Sequence, residues 1–353
     1  MRIVKNRSLA ILVFFLFVFV GAAFFYTKKA VPAFSPEEEL IHITNSTATP
    51  LEVFRKNLTN ILSRGGIDGA FDLIALAFNR GVVNIDECHT ILHLVGHYAY
   101  ARSDGNLAKL ARTDGSLCVS SFIHGVEAEI ALQSTGNTIE QLKNYCAELK
   151  ESIPGFWCYH GAGHAFLESR MDIPWALKQC NALAGDPESD LSNCYRGIFS
   201  EYGSNALGYD GDTGLSLSGG PSVKVDFEKP LLFCNVLEES YRSACYSQLT
   251  KIHASRGSGL TGCLIPEYTR EAQKVCVQII MGVSFRSQLD NREVIKPEPF
   301  ILTLASDFRQ KYIDGALDGF LAHSQSGKKK DWKAFCTAFP QEDDRTYCLK
   351  FNP

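Results

Sequence analysis

Residues 158–164 read CYHGAGH, and residues 194–197 repeat the start of that pattern as CYRG. Around them, apolar residues recur every three or four positions, in segments of about 10 to 18 residues that end at glycine or proline, a pattern typical of amphipathic helices. Strand-like alternation of apolar and polar residues is scarce. The sequence therefore predicts an all-α fold made of repeated two-helix units.

The chain contains 12 cysteines, an even number, as a fully oxidised exported protein would have. Taken as consecutive pairs, five pairs are separated by eleven to fourteen residues and the first pair by thirty. No Cys-x-x-Cys occurs, which favours structural disulfides over metal thiolates. The expected disulfides join Cys88 with Cys118, Cys146 with Cys158, Cys180 with Cys194, Cys234 with Cys245, Cys263 with Cys276, and Cys336 with Cys348.

A disulfide over each short interval would join the end of one helix to the start of the next. This arrangement resembles that of cysteine-rich αα-hairpin repeat proteins, although the spacing between successive pairs is not constant. The resemblance implies an irregular αα-hairpin repeat domain, solenoid-like or superhelix-like and braced by disulfides. Such domains often present a concave surface that binds a protein or a small molecule.

The N-terminus has the composition of a membrane anchor. An uninterrupted apolar run from Leu9 to Tyr26 follows three basic residues, and eighteen helical residues span about 27 Å, close to the thickness of a bilayer core. The sequence predicts a transmembrane signal-anchor helix over residues 1–29, with the N-terminus in the cytoplasm. The alternative is a signal peptide cleaved near Gly21–Ala23. Both place the rest of the chain outside the cytoplasm, in a periplasm, at a cell surface or in the lumen of the secretory pathway.

The remaining chain divides by composition. Residues 30–50 are rich in proline and glutamate, which predicts a linker or stalk with one short helix. Residues 51–353 form the expected extracytoplasmic domain, with a histidine-rich part at 85–170, a glycine-rich loop at 203–230 and a long helix from Phe300 to His323. The net charge of −4 carries no basic excess, so the sequence does not predict nucleic-acid binding.

Histidines concentrate in one part of the chain. Six of the 9 histidines fall between residues 88 and 168. His93 and His97 have i,i+4 spacing, as do His160 and His164. This spacing places both imidazoles of a pair on one face of a helix, where both can bind one metal ion. The alternative is that these histidines are structural. The expected ligands are His93, His97, His124, His160 and His164.

Two acids accompany the histidines. Glu127 lies three residues after one histidine and Glu168 four residues after another, so both are candidates for a ligand or for a catalytic proton-transfer group. His89 would serve a second ion, support a ligand or be structural. A set of imidazoles and carboxylates suits zinc, copper or iron. The zincin motif, the Gly-x-Ser-x-Gly elbow and dinucleotide or phosphate loops are absent.

The leading hypothesis is a membrane-anchored, extracytoplasmic helical protein that binds a transition metal through its histidine cluster. Its more specific form is a metal-dependent enzyme. The competing hypothesis is a non-catalytic, disulfide-stabilised scaffold or receptor that binds a protein or small-molecule ligand on a concave helical surface.

Overall fold

The structure is a computed structural model that describes residues 34–103, 106–110, 117–133, 136–149, 155–183, 188–206, 226–255, 259–290, 296–323 and 329–351. Within these ranges the chain is helical and contains no strand, which confirms the predicted all-α class. The anchor predicted over residues 1–29 lies outside the described ranges, as does most of the predicted loop at 203–230. None of the helices in the described part of the chain is both long enough and apolar enough to cross a membrane.

Four short 3₁₀ segments stand among the α-helices of the described ranges: Leu107–Lys109, Pro230–Val236, Gly259–Leu264 and Ile301–Thr303. The α-helices are α1 (Pro36–Thr44), α2 (Pro50–Asn79), α3 (Ile85–Arg102), α4 (Leu117–Gln133), α5 (Thr138–Leu149), α6 (Gly155–Arg170), α7 (Ile173–Leu183), α8 (Glu188–Ala206), α9 (Glu239–Ser255), α10 (Arg270–Asp290), α11 (Ser306–His323), α12 (Lys329–Thr337) and α13 (Glu342–Lys350).

The first two helices pack against each other. Thr49 and Glu52 form a capping box that satisfies the first free amides of α2. The helix is interrupted at Gly66, whose φ of 67° suits glycine. Leu40 and Ile43 of α1 are buried, so this part of the expected linker belongs to the folded region.

From α3 onward, each long helix packs against the next long helix in the chain: α3 on α4, α4 on α6, α6 on α8, α8 on α9, α9 on α10, and α10 on α11. The short helices α5 and α7 lie between members of this series and contact the long helices that follow them. Buried apolar side chains form one cluster that extends from Leu40 to Cys348. The histidine-bearing helices α3, α4 and α6 are therefore neighbours in this series.

All six predicted disulfides are confirmed, and they account for every cysteine of the chain. Their Cα–Cα distances are 5.4 to 5.7 Å, within the usual range. Two of them join a short helix to the long helix that follows, Cys146 in α5 to Cys158 in α6 and Cys180 in α7 to Cys194 in α8. A complete set of disulfides indicates an oxidising compartment outside the cytoplasm.

In the next two bridges a 3₁₀ segment takes the place of the short helix. Cys234 of the segment Pro230–Val236 is bonded to Cys245 of α9. In the same way, Cys263 of the segment Gly259–Leu264 is bonded to Cys276 of α10. The sequence predicts both pairings correctly but expects a helix on each side of the bridge. Disulfides that span 11 and 13 residues are thus compatible with a 3₁₀ segment before the long helix as well as with an α-helix.

The helix predicted from Phe300 to His323 begins later than expected. The chain first forms a single 3₁₀ turn, and Leu304 then takes an extended conformation with ψ of 165°. The α-helix starts only at Ser306. The side chain of Ile301 is buried although it precedes the α-helix. The apolar periodicity of the sequence therefore continues through this break.

Glycines bring some neighbouring helices into backbone contact. A Cβ atom on Gly125 of α4 would overlap the carbonyl oxygen of His93 on α3, and one on Gly197 of α8 would overlap that of His160 on α6. The helices α10 and α11 meet in the same way at Gly315. Only glycine permits so close an approach, and it fixes which side chains of the two helices face each other.

Candidate metal centre

The histidine cluster lies where α4 packs between α3 and α6. His93 and His97 on α3, His124 on α4 and His164 on α6 are all buried, and His160 is partly buried. The ring of His124 lies between the two pairs: its centroid is 5.2 Å from that of His164, 5.7 Å from that of His160 and 6.3 Å from that of His93. The five predicted ligands therefore share one region of the interior.

Within this region, His93, His97 and Glu168 form one compact set of donor atoms. One ligand atom from each lies within 4.8 Å of the other two. The two histidines come from adjacent turns of α3, whereas Glu168 comes from α6, one turn beyond His164. The carboxylate therefore joins the histidine pair of the other helix instead of the pair on its own.

A second carboxylate, that of Glu129, supports the ring of His97. Nδ1 of His97 donates a hydrogen bond to Oε1 of Glu129 on α4 at 3.0 Å. The buried Nε2 of His97 has no hydrogen-bond partner among the described residues. Burial acts to raise the pKa of Glu129, but the hydrogen bond from His97 opposes it, and that pKa is held below its ordinary value. A charged carboxylate on one ring nitrogen, with the other nitrogen left available, is the arrangement of metal-binding histidines.

The histidine pair of α6 has the same support. Nδ1 of His164 donates to Oε2 of Glu201 on α8 at 3.0 Å, and both side chains are buried. Nε2 of His164 lies 3.2 Å from Nε2 of His160. Burial, and then the neighbouring His164 and other basic groups, hold the pKa of His160 well below its ordinary value, so its ring is neutral at pH 7. A neutral imidazole is the form that binds metals.

These two arrangements are copies of one structural unit. In α3 and in α6 the unit is His-x-x-Gly-His, and in the helix that each one packs against it is Gly-x-x-x-Glu. Gly125 precedes Glu129 by one turn, as Gly197 precedes Glu201. Each glycine lies against the carbonyl oxygen of the first histidine of the facing His-x-x-Gly-His unit. Neither glutamate is among the site residues predicted from the sequence. The repeated Gly-x-x-x-Glu spacing is the signal that would have identified them.

Glu127 lies apart from these sets. It is fully buried, and its Oε1 is 3.0 Å from Sγ of Cys158. Because a disulfide sulfur carries no proton, the carboxyl group must be the donor in this contact. Burial raises the pKa of Glu127 well above its ordinary value, which agrees with a protonated, neutral side chain. Its oxygen also approaches Sγ of Cys146 at 3.9 Å, but oxidised cysteines do not bind metals.

His89 is held by the backbone. Its Nδ1 donates a hydrogen bond to the carbonyl oxygen of Cys118 at 3.0 Å, next to the disulfide that joins α3 to α4. Its ring centroid is 5.5 Å from that of His124 and 6.4 Å from that of His93. It therefore borders the cluster and ties the start of α3 to the start of α4.

No protein-family model, curated protein or solved structure matches this chain. The fold and the site together define a disulfide-braced, all-helical protein with a buried cluster of histidines and carboxylates between α3, α4 and α6. The chemistry of that cluster is therefore inferred from its donor atoms alone.

Proposed function

We propose that this protein binds a transition-metal ion between α3 and α6 through His93, His97 and Glu168. The observation that carries this proposal is the convergence of their three donor atoms within 4.8 Å of one another. Two imidazoles and a carboxylate are the ligands of many catalytic zinc sites and of the facial triad of non-haem iron. Zinc and iron suit this set best, and copper remains a candidate because imidazole also suits it.

The surroundings favour this role over a purely structural one. Glu129 keeps the proton of His97 on Nδ1, which directs the lone pair of Nε2 toward the site. The oxidised cysteines leave nitrogen and oxygen as the available donors, which agrees with a site outside the cytoplasm.

A metal-dependent enzyme is the more specific form of the proposal. Three protein ligands leave coordination positions for water or a substrate, and a bound ion would acidify that water or polarise that substrate. With Glu168 as a ligand, Glu127 is the remaining candidate for proton transfer.

Metal analysis of protein purified without a histidine tag tests the proposal. The double variant His93→Ala/His97→Ala should lose one ion per chain relative to wild type. His253→Ala is the matched control, because His253 is also buried but lies on α9, outside the cluster. Circular dichroism checks that both variants stay helical. The proposal is overturned if the double variant keeps the full metal content of wild type, or if wild type binds no zinc, iron or copper.

A binding scaffold is the second candidate, in which the helix series would serve as the superhelix-like repeat that the sequence predicts. The observation in its favour is a pocket of about 800 Å³ between α7, α8 and α9, within the range of small-molecule sites. Tyr202, Phe233 and Tyr241 line it. Saturable binding of an apolar fluorescent probe, weakened by Phe233→Ala, would support this role. Wild-type protein that binds such a probe but binds no metal would favour the scaffold over the metal site.

A further inference from the structure

We propose that the centre holds a second metal ion, bound by His160 and His164 with His124 as the third ligand. This inference rests on the proposed function, since the two ions would lie in adjoining parts of the histidine cluster. The first site would have two nitrogens and one oxygen, and the second site three nitrogens. An all-imidazole site suits zinc or copper.

The distance between the two ring nitrogens is the first support. Nε2 of His160 and Nε2 of His164 lie 3.2 Å apart. Two nitrogens bound to one tetrahedral ion at 2.0–2.1 Å would be about 3.3 Å apart. Because the Glu201 carboxylate accepts from Nδ1 of His164, a neutral His164 has its lone pair on Nε2, directed toward His160. A single hydrogen bond between the two rings is the competing explanation of this distance, and the experiment below separates the two.

The repeated unit is the second support. The pairing of His164 with Glu201 reproduces that of His97 with Glu129, with the same ring nitrogen and the same 3.0 Å distance. A third copy of the helix crossing, between α10 and α11, has Gly282 and Gly319 at the positions of the histidine and the glutamate. The crossing itself therefore does not require the pair. Where the pair is present, it occurs beside a second histidine one turn earlier.

His124, on α4, is the proposed third ligand. Its ring stacks on that of His164 with 19° between the planes and 5.2 Å between the centroids. Its centroid is 5.7 Å from that of His160. Arg196 and Lys251 carry positive charge near His160 and oppose the binding of a cation. The buried carboxylate of Glu201 offsets part of that repulsion.

The experiment is a metal count on tag-free protein, combined with single-site variants. After equilibration with zinc and removal of excess, wild type should hold two ions per chain. His97→Ala and His164→Ala should each hold one, and the variant with both substitutions should hold none. Glu201→Gln keeps all three proposed ligands and should weaken only the second ion, by about 10- to 100-fold.

Each other outcome has a definite meaning. One ion in wild type that is lost in His97→Ala but kept in His164→Ala overturns the second site and leaves the proposed function intact. One ion lost in His164→Ala but kept in His97→Ala overturns both the two-ion centre and the ligand set of the proposed function. No bound zinc in wild type, with an unchanged melting temperature, overturns both and leaves a hydrogen bond between His160 and His164. If His164→Ala fails to fold, the affinity of Glu201→Gln decides: a zinc affinity equal to that of wild type for both ions overturns the proposal.

Discussion

Gly125 of α4 lies against the backbone carbonyl oxygen of His93 on α3, so closely that a Cβ atom on the glycine would overlap that oxygen. This contact sets the separation of α3, which carries the candidate ligands His93 and His97, from α4, which carries the supporting carboxylate of Glu129. One turn along, the same approach brings His97 within hydrogen-bonding distance of Glu129. The position of a backbone atom thus determines the geometry of the site.

Replacing Gly125 by alanine should therefore damage both the fold and the site. The added methyl group must push α3 and α4 apart, which should cost about 1–3 kcal/mol of unfolding free energy. The same displacement separates His97 from Glu129 and should lower zinc affinity. Urea unfolding measures the first effect, and competition with a zinc indicator measures the second.

Gly203→Ala is the control for that substitution. Gly203 lies in α8, and a Cβ there would have Leu249 as its nearest neighbour at 3.4 Å, an ordinary contact. Because alanine favours helix over glycine, this variant should be unchanged or more stable by about 0.5–1 kcal/mol. Equal losses of stability in the two alanine variants would contradict the close-contact explanation.

The disulfide between Cys146 and Cys158 should matter for the site as well as for stability. Replacing both cysteines by alanine should reduce the unfolding free energy by about 2–4 kcal/mol. It should also lower zinc affinity, since the bridge fixes the start of α6 and contacts the buried Glu127. The measurement is again urea unfolding combined with a zinc titration.

A second bridge of the same length provides the comparison. Cys336 and Cys348 enclose the same sequence separation of 12 residues but lie in α12 and α13, outside the cluster. Their replacement should cost similar stability and leave zinc affinity unchanged. If both double variants bind zinc as wild type does, the bridge next to Glu127 has no role in the site.

His253 should make stability depend on pH. Burial lowers its pKa, partly opposed by Glu228, and its Nε2 lies 2.9 Å from the hydroxyl of Tyr268. The unfolded chain, with a histidine pKa near 6.5, therefore binds a proton more readily than the folded chain. Its contribution is fully present above about pH 6.5 and is lost as the pH falls toward the lower folded-state pKa. In metal-free protein, His253→Gln should lose less stability between pH 7 and pH 5 than wild type, as measured by urea unfolding. An unaltered pH slope in the variant would refute this assignment.

Removal of metal should lower the melting temperature of wild type and leave the protein folded. An ion bound only by the native state stabilises it by mass action. Treatment with a chelator, followed by dialysis, should therefore shift the thermal unfolding of wild type downward, and added zinc should restore it. His97→Ala/His164→Ala should show neither change. A chelator effect of equal size in that variant would place the stabilising ion elsewhere.

Much of the fold follows from local spacing in the sequence. The cysteine intervals predict five of the six bridges, because a dozen residues suffice for a turn and part of a helix between two bonded positions. The sixth, Cys88–Cys118, spans 30 residues and follows only from pairing consecutive cysteines. The i,i+4 histidine pairs are likewise local, since one turn of a single helix places both rings on one face. Apolar periodicity does not reveal the 3₁₀ turn before Ser306, because the side chain of Ile301 is buried there although the α-helix has not yet begun.

The partners of the histidines could not be predicted in the same way. Glu129 lies 32 residues from His97 and Glu201 lies 37 from His164, so their pairing depends on how the helices cross. In the sequence, Glu168 stands four residues after His164 on the same helix. In the structure, the crossing places it with His93 and His97 of α3 instead.

The contact between α10 and α11 bears on the order of events in the life of the protein. Gly282 and Gly319 let those helices meet without histidine or glutamate, so a crossing of this geometry forms without an ion. Under the proposed function, maturation would have two separate stages: oxidation would complete the scaffold, and loading would follow whenever the compartment offers the ion. Metal supply would then set the occupancy of the finished protein.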